Sequence, residues 1–392
     1  MINEKAYALG ENRSVIRDLF AYGQKRSAEI GAENVFDYTL GNPSIPSPPE
    51  VGQAIQAILQ DTDSVAIHSY TSATGDRETR QAIAADLNSR FSADAHADDL
   101  FITCGAAPAL TAVLRALAVP GAEVLAIAPY FPEYMPFAEE AGLVFRVVPP
   151  DTQHFQIDLQ ALDAMICPHT NAIIVNSPNN PAGTVYTEDT LRQLGTLLEK
   201  KAAQFGHPIY IIADEPYREL VYDGITAPFI PNIYPDTVVC YSYSKSLSLP
   251  GERIGYIYIP RQAADHDMLF TAVAGASRVA GHVCAPSLWQ KVIARCAHLR
   301  PDLAAYDRNR KVLYEGLLSM GYEIARPDGA FYLFVKAPNG DASAFCAKAM
   351  RQDLLVVPGD GFGCPGWFRL CYCVKYDTIV RSLPIFRRLI DQ

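Results

Sequence analysis

Ile209-Tyr-Ile-Ile-Ala runs without interruption into Asp214-Glu-Pro-Tyr217. An unbroken apolar run suits a strand covered on both faces, because a sheet wetted on one side would alternate apolar with polar residues. An isolated carboxylate at the end of such a strand is costly unless it meets a cation, so Asp214 either caps a helix or faces a positive partner. Six further runs lie around it: Leu100-Phe-Ile-Thr, Val124-Leu-Ala-Ile-Ala, Val144-Phe-Arg-Val-Val, Ala172-Ile-Ile-Val-Asn, Val238-Val-Cys-Tyr and Ile254-Gly-Tyr-Ile-Tyr-Ile. Helical stretches separate them, which predicts a mostly parallel α/β sheet with its ligand site at the carboxyl ends of the strands.

Past Pro286 the pattern changes. A long helical stretch from Ser287 to Met320, a turn at Pro327-Asp-Gly, the run Ala330-Phe-Tyr-Leu-Phe-Val and a closing helix from about Asp377 to Ile390 predict a smaller α+β domain. The expected division is 1–45 as an N-terminal segment, 46–286 as the large domain and 287–392 as the small one. Within the first part, Gly41-Asn-Pro-Ser-Ile-Pro-Ser-Pro-Pro reads as an extended crossing segment.

Composition narrows the function. The 392 residues are 49% hydrophobic and carry 33 Lys plus Arg against 43 Asp plus Glu, a formal charge of −10 that gives no footprint for nucleic acid. No apolar stretch reaches the ~18 residues of a membrane span, and the polar start points to a cytoplasmic protein. Nine cysteines form no disulfide framework, and Cys371 and Cys373 read as buried small residues on one face of a strand, with no second ligand pair that would make a metal site. Gly361-Phe-Gly-Cys-Pro-Gly366 satisfies a bare G-x-G-x-x-G pattern but runs into a strand rather than opening a helix, so a dinucleotide site is not inferred.

Four strand ends carry the chemistry. Asn176-Ser-Pro-Asn-Asn-Pro-Ala-Gly183 is a tight loop exposing Asn180, though Asn-Pro and Ala-Gly also serve as plain turn punctuation. Lys245, one of ten lysines, lies among Ser242, Ser244, Ser246 and Ser248 with apolar neighbours, a setting for a lowered pKa and Schiff-base chemistry rather than for a snorkelling surface lysine. Thr103-Cys-Gly-Ala-Ala-Pro108 reads as strand, glycine turn and helix start, whose N–H groups suit a phosphate. Ser242, Ser244 and Arg253 would add hydroxyls and a positive charge.

Taken together, Asn180-Pro-Ala-Gly, Asp214-Glu-Pro-Tyr and Ser242-Tyr-Ser-Lys-Ser with Gly251-Glu-Arg-Ile-Gly resemble the fold-type I pyridoxal-phosphate aminotransferases of the aspartate aminotransferase superfamily. The resemblance implies a large α/β domain with a seven-stranded sheet, a small α+β domain and pyridoxal 5'-phosphate as cofactor. It makes Lys245 the Schiff-base lysine and proton carrier, Asp214 the partner of the pyridine nitrogen, and Asn180 and Tyr217 the donors to the cofactor's phenolic oxygen. Gly105, Ala106, Ser242, Ser244 and Arg253 match the phosphate cup, and Phe131 matches the ring stacked on the cofactor. Tyr70 matches a tyrosine that reaches the phosphate of a neighbouring subunit, which implies a homodimer with shared active sites. Arg369, Gly41 and Asn180 match the groups around the substrate carboxylate.

The pattern departs from the family at Ala106, where relatives often have Ser or Thr, at Ala182, where Thr is usual, and at Phe131, where Tyr or Trp is common. The reaction expected is transfer of an amino group from an L-amino acid to a 2-oxo acid by a ping-pong cycle, with a carbon–sulfur β-lyase of the same fold as the alternative. A regulator with a DNA-binding helix-turn-helix is not expected, since ~45 residues before the core leave no room for that module and the chain is acidic. Arg13 and Arg17 would admit a dicarboxylic substrate if they face the pocket, and otherwise are exposed helix charges.

Overall fold

The computed structural model describes residues 1–11 and 15–390. Seven strands form the central sheet: β1 (Leu100–Thr103), β2 (Glu123–Ile127), β3 (Val144–Val148), β4 (Thr170–Asn176), β5 (Tyr210–Asp214), β6 (Thr237–Ser242) and β7 (Gly255–Tyr258). Their order across the sheet is β1-β7-β6-β5-β4-β2-β3, and β7 alone runs antiparallel to its neighbours. The continuous apolar runs have a direct physical reading. In β4 and β5, Ile173, Val175, Ile211 and Ala213 enter one core while Ala172, Ile174, Tyr210 and Ile212 enter another on the opposite face. Alternate side chains therefore feed two cores, and each face is closed by helices.

A third core lies on a three-stranded antiparallel sheet of β8 (Tyr332–Lys336), β9 (Val357–Pro358) and β10 (Trp367–Cys371), ordered β9-β10-β8. It takes in side chains from helices Ala304–Ser319, Ala342–Met350 and Tyr376–Ile390, and includes Tyr217 from just beyond β5. Tyr217 thus ties the end of the large sheet to the small core. Cys371 and Cys373 are both buried in this core.

Two expectations change. The stretch from Ser287 to Met320 is two helices, Ser287–Cys296 and Ala304–Ser319, parted where Pro301 denies a backbone donor to a continuing helix. The first packs on helices Pro49–Asp61 and Arg77–Phe91 and puts Val292, Ile293 and Cys296 into the large core, so the change of core falls after Ala297 rather than at 287. The N-terminal part is also more than a crossing strand: helices Glu4–Glu11 and Val15–Ile30 precede it, and Phe36–Asp37 pairs in parallel with Leu354–Leu355. Among the described residues no helix is long and apolar enough to cross a membrane.

Candidate active site

The carboxyl ends of β4, β5 and β6 open into a cavity of about 280 Å³. Asn180, Asp214, Tyr217, Ser242, Ser244, Lys245, Arg253, Ala106, Phe131, Gly41 and Arg369 all line it, although they come from segments more than 300 residues apart. Gly105 is not itself in the lining but immediately precedes Ala106, which is. Tyr70 is not brought to this cavity and stands 96% exposed.

β5 ends on Asp214 in register with Asn176 at the end of β4. The Asn176 amide donates to the Asp214 carbonyl oxygen at 2.8 Å, and the Tyr134 hydroxyl donates to Asp214 Oδ2 at 2.5 Å. Oδ1 is buried and has no partner. Burial pushes the carboxyl up to about 7, with Glu215 adding repulsion and the Tyr134 hydrogen bond opposing the rise. Asp214 is therefore a carboxylate short of one positive neighbour.

β6 ends on Ser242, whose hydroxyl accepts from the backbone N–H of Ser244 and caps the short helix Tyr243–Ser246. That turn carries Lys245 into the cavity. Its Nζ donates to the carbonyl oxygen of Gly41 at 2.5 Å and lies 5.6 Å from the centre of the Phe331 ring. Burial lowers its pKa; Arg253 and Arg369 lower it further, against the opposing effect of Cys373 and Cys371. A lysine so placed keeps a share of neutral amine that can act as nucleophile and base. Gly41 has to be glycine, since a Cβ there would strike the Tyr332 hydroxyl.

An anion cradle lies at the amino end of helix Ala106–Ala116. Gly105 caps it at φ +94°, and a Cβ at that position would come within 2.8 Å of Arg253 Nη2. The hydroxyls of Ser242 and Ser244 are 2.7 Å apart, and Arg253 donates to the Pro250 carbonyl oxygen at 2.9 Å while still facing the cavity. Helix N–H groups, two hydroxyls and a guanidinium make a site for a dianion such as a phosphate monoester.

Opposite the cradle, Arg369 on β10 is 2% exposed. It donates to Asn180 Oδ1 at 2.9 Å and to the Thr39 carbonyl oxygen, stacks between the rings of Tyr332 and Phe362, and keeps Nε without a partner. All of its acceptors are neutral, so its charge is free for a carboxylate. Tyr217 shares a 2.8 Å hydrogen bond with Tyr332, and burial raises its pKa. Phe131 sits edge-on to Tyr134. Arg13 lies outside the described residues, and Arg17 is an exposed helix charge 3.8 Å from Glu133.

Sequence reasoning missed Asn176, Tyr134, Thr39 and Tyr332 as members of this site. Asn176 had a usable signal, because it ends a strand as Asp214 does. Tyr134 had none, as its contact spans 80 residues and depends on how one helix start docks on a strand end.

Residues 33–382 match the sequence family described as aminotransferase class I and II. The aspartate aminotransferase of Thermotoga maritima is 30% identical over 359 residues, covering 90% of each chain. A probable N-acetyl-LL-diaminopimelate aminotransferase of Bacillus subtilis is 28% identical over 363 residues, covering 90% of this chain and 88% of the other. The crystal structure of an amino transferase from Eubacterium rectale superposes with a TM-score of 0.97 at 54% identity, covering 100% of this chain and 98% of that one. The chain belongs to the aminotransferase class I and II family and is a transaminase of the fold-type I architecture.

Proposed function

We propose that the cavity binds pyridoxal 5'-phosphate and moves an amino group from an L-amino acid to a 2-oxo acid in two half-reactions. The observation that carries this reading is the buried, unpartnered Oδ1 of Asp214, in the same cavity as a lysine of lowered pKa. A protonated pyridine nitrogen is a cation of the right shape for that oxygen, and a phosphate monoester suits the cradle at Gly105 and Ala106. When bound, the cofactor supplies an electron sink for the substrate α-carbon.

The chain's own residues then have separable tasks. Lys245 would hold the cofactor covalently through Nζ, and its amine would carry the proton to and from the substrate α-carbon. Asp214 keeps its positive partner protonated, held in place by Tyr134 and Asn176. Asn180 and Tyr217 donate to the cofactor's phenolic oxygen. Ser242, Ser244, Arg253 and the N–H groups at Gly105 and Ala106 hold the phosphate, and Phe131 stacks on the ring. Arg369 grips the substrate carboxylate in two-pronged fashion, beside Gly41. The exposure of Tyr70 suits a residue that completes the site of a second copy, so the working unit in this reading is a homodimer with shared active sites.

A single-turnover experiment tests the reaction. Holoenzyme given an amino acid without acceptor is expected to release one 2-oxo acid per site and no ammonia, while its visible absorbance is lost; adding a 2-oxo acid restores the absorbance. Release of ammonia or thiol with the absorbance unchanged would contradict transamination and make the enzyme a lyase.

A further inference from the structure

Beside the cavity lies a second, larger chamber of about 500 Å³, between the N-terminal helices, the start of helix Tyr134–Ala141, strand β9 and the helical turn Gly359–Phe362 that follows it. Three links join it to the active site. Ile16 lines both spaces. Phe362 lines the chamber and packs its ring 5.0 Å from the guanidinium of Arg369. Tyr130 lines the chamber while its neighbour Phe131 lines the cavity. Through Ile16, which belongs to both linings, the chamber adjoins the cavity that holds Arg369.

The wall is apolar: Ile16, Tyr130, Met135, Pro136, Val357 and Phe362 supply most of it. The charges belong to its rim. Among the described lining residues Arg17 is the one cation, it pairs with Glu133, and Glu139 adds a second carboxylate that pairs with Lys5. Both rim carboxylates are thus already paired, which leaves no unpaired cation among the described lining residues for a second substrate carboxylate, whereas apolar walls of this size gain from burying a ring. Resting on the transaminase reading above, we propose that this chamber receives the side chain of the amino-acid substrate, and that this side chain is bulky and apolar, of the phenylalanine class, rather than a second carboxylate.

Gly361 offers a clean way to test this. It lines the chamber, and a Cβ built on it meets nothing within 4 Å, so Gly361→Phe adds a ring at the chamber wall with no neighbour to displace. The experiment measures kcat/KM of the holoenzyme and of this variant for L-alanine, L-leucine, L-phenylalanine, L-aspartate and L-glutamate with one fixed 2-oxo acid acceptor. The expected result is a preference of at least about tenfold for phenylalanine over alanine and over both dicarboxylates, lost in Gly361→Phe while alanine turnover stays within about twofold. Met135→Trp narrows the same space from the partly exposed side and is expected to act likewise. Aspartate or glutamate as the best substrate, or filled variants that keep the phenylalanine preference, would overturn the chamber's role while leaving transamination intact. Silence toward all five with cofactor bound would overturn the transaminase reading and the substrate class with it.

Discussion

At one end of the cavity Asp214 and Arg369 are buried charges that each keep an atom without a partner, whereas at the other end the groups around Gly105 are matched among themselves and Arg253 remains exposed. The difference lies in solvent. A buried charge with an unmet atom costs free energy that only a ligand of opposite charge offsets, while a cradle of backbone N–H groups and hydroxyls rests comfortably when water occupies it. The buried end should therefore dominate both catalysis and the response to pH. The cradle should be redundant, each contact contributing a little.

The largest effect that could break this comparison is expected at Asp214. Asp214→Ala should lower the turnover rate on the order of a thousandfold, measured as kcat under saturating cofactor and substrate. A near-normal rate would mean that the ring nitrogen has another partner. The same carboxyl gives a stability signature in the cofactor-free protein. Because its pKa is raised to about 7, it binds a proton in the folded state that the unfolded chain has released, so its contribution is full below pH 4 and lost as pH rises through 7. Loss of that contribution is on the order of 4 kcal/mol, and the total change in stability between pH 4 and 7 should differ by that amount in Asp214→Asn. An unchanged slope would show that the carboxyl is ionised over this range.

Next in size is Arg369→Lys, which keeps the charge but loses the planar fork. The expected outcome is a rise in KM for the amino acid of roughly a hundredfold with a smaller change in kcat. Equal loss in both would place Arg369 in the chemical step. Smallest is Ser244→Ala in the cradle, expected to weaken cofactor binding by about fivefold, measured by equilibrium titration of the cofactor-free protein. A loss as large as that at Arg369 would remove the contrast between the two ends.

Much of this site could be read before the fold was known, and the reason is local. Asp214, Lys245 and the Gly105 turn each follow directly on an apolar run, so strand ends and chemistry occupy neighbouring positions in the chain. Their assignment to one cofactor came from the family resemblance, since no spacing by itself brings Asn180, Lys245 and Arg369 together. What could not be read depends on docking. Thr39 accepts from Arg369 across 330 residues, a contact made as the small core assembles, and Tyr332 meets Tyr217 across 115, where that core meets the end of the large sheet. Helix Ser287–Cys296 belongs with the large core for the same kind of reason: its apolar stripe would suit either core, and packing alone decides between them.

Reduction of the holoenzyme with borohydride followed by peptide mapping shows which lysine carries the cofactor. One adduct per chain is expected, on the peptide that carries Lys245, and none in Lys245→Ala, which should also lose turnover. An adduct on another lysine, or full activity in Lys245→Ala, would contradict the assignment of Lys245.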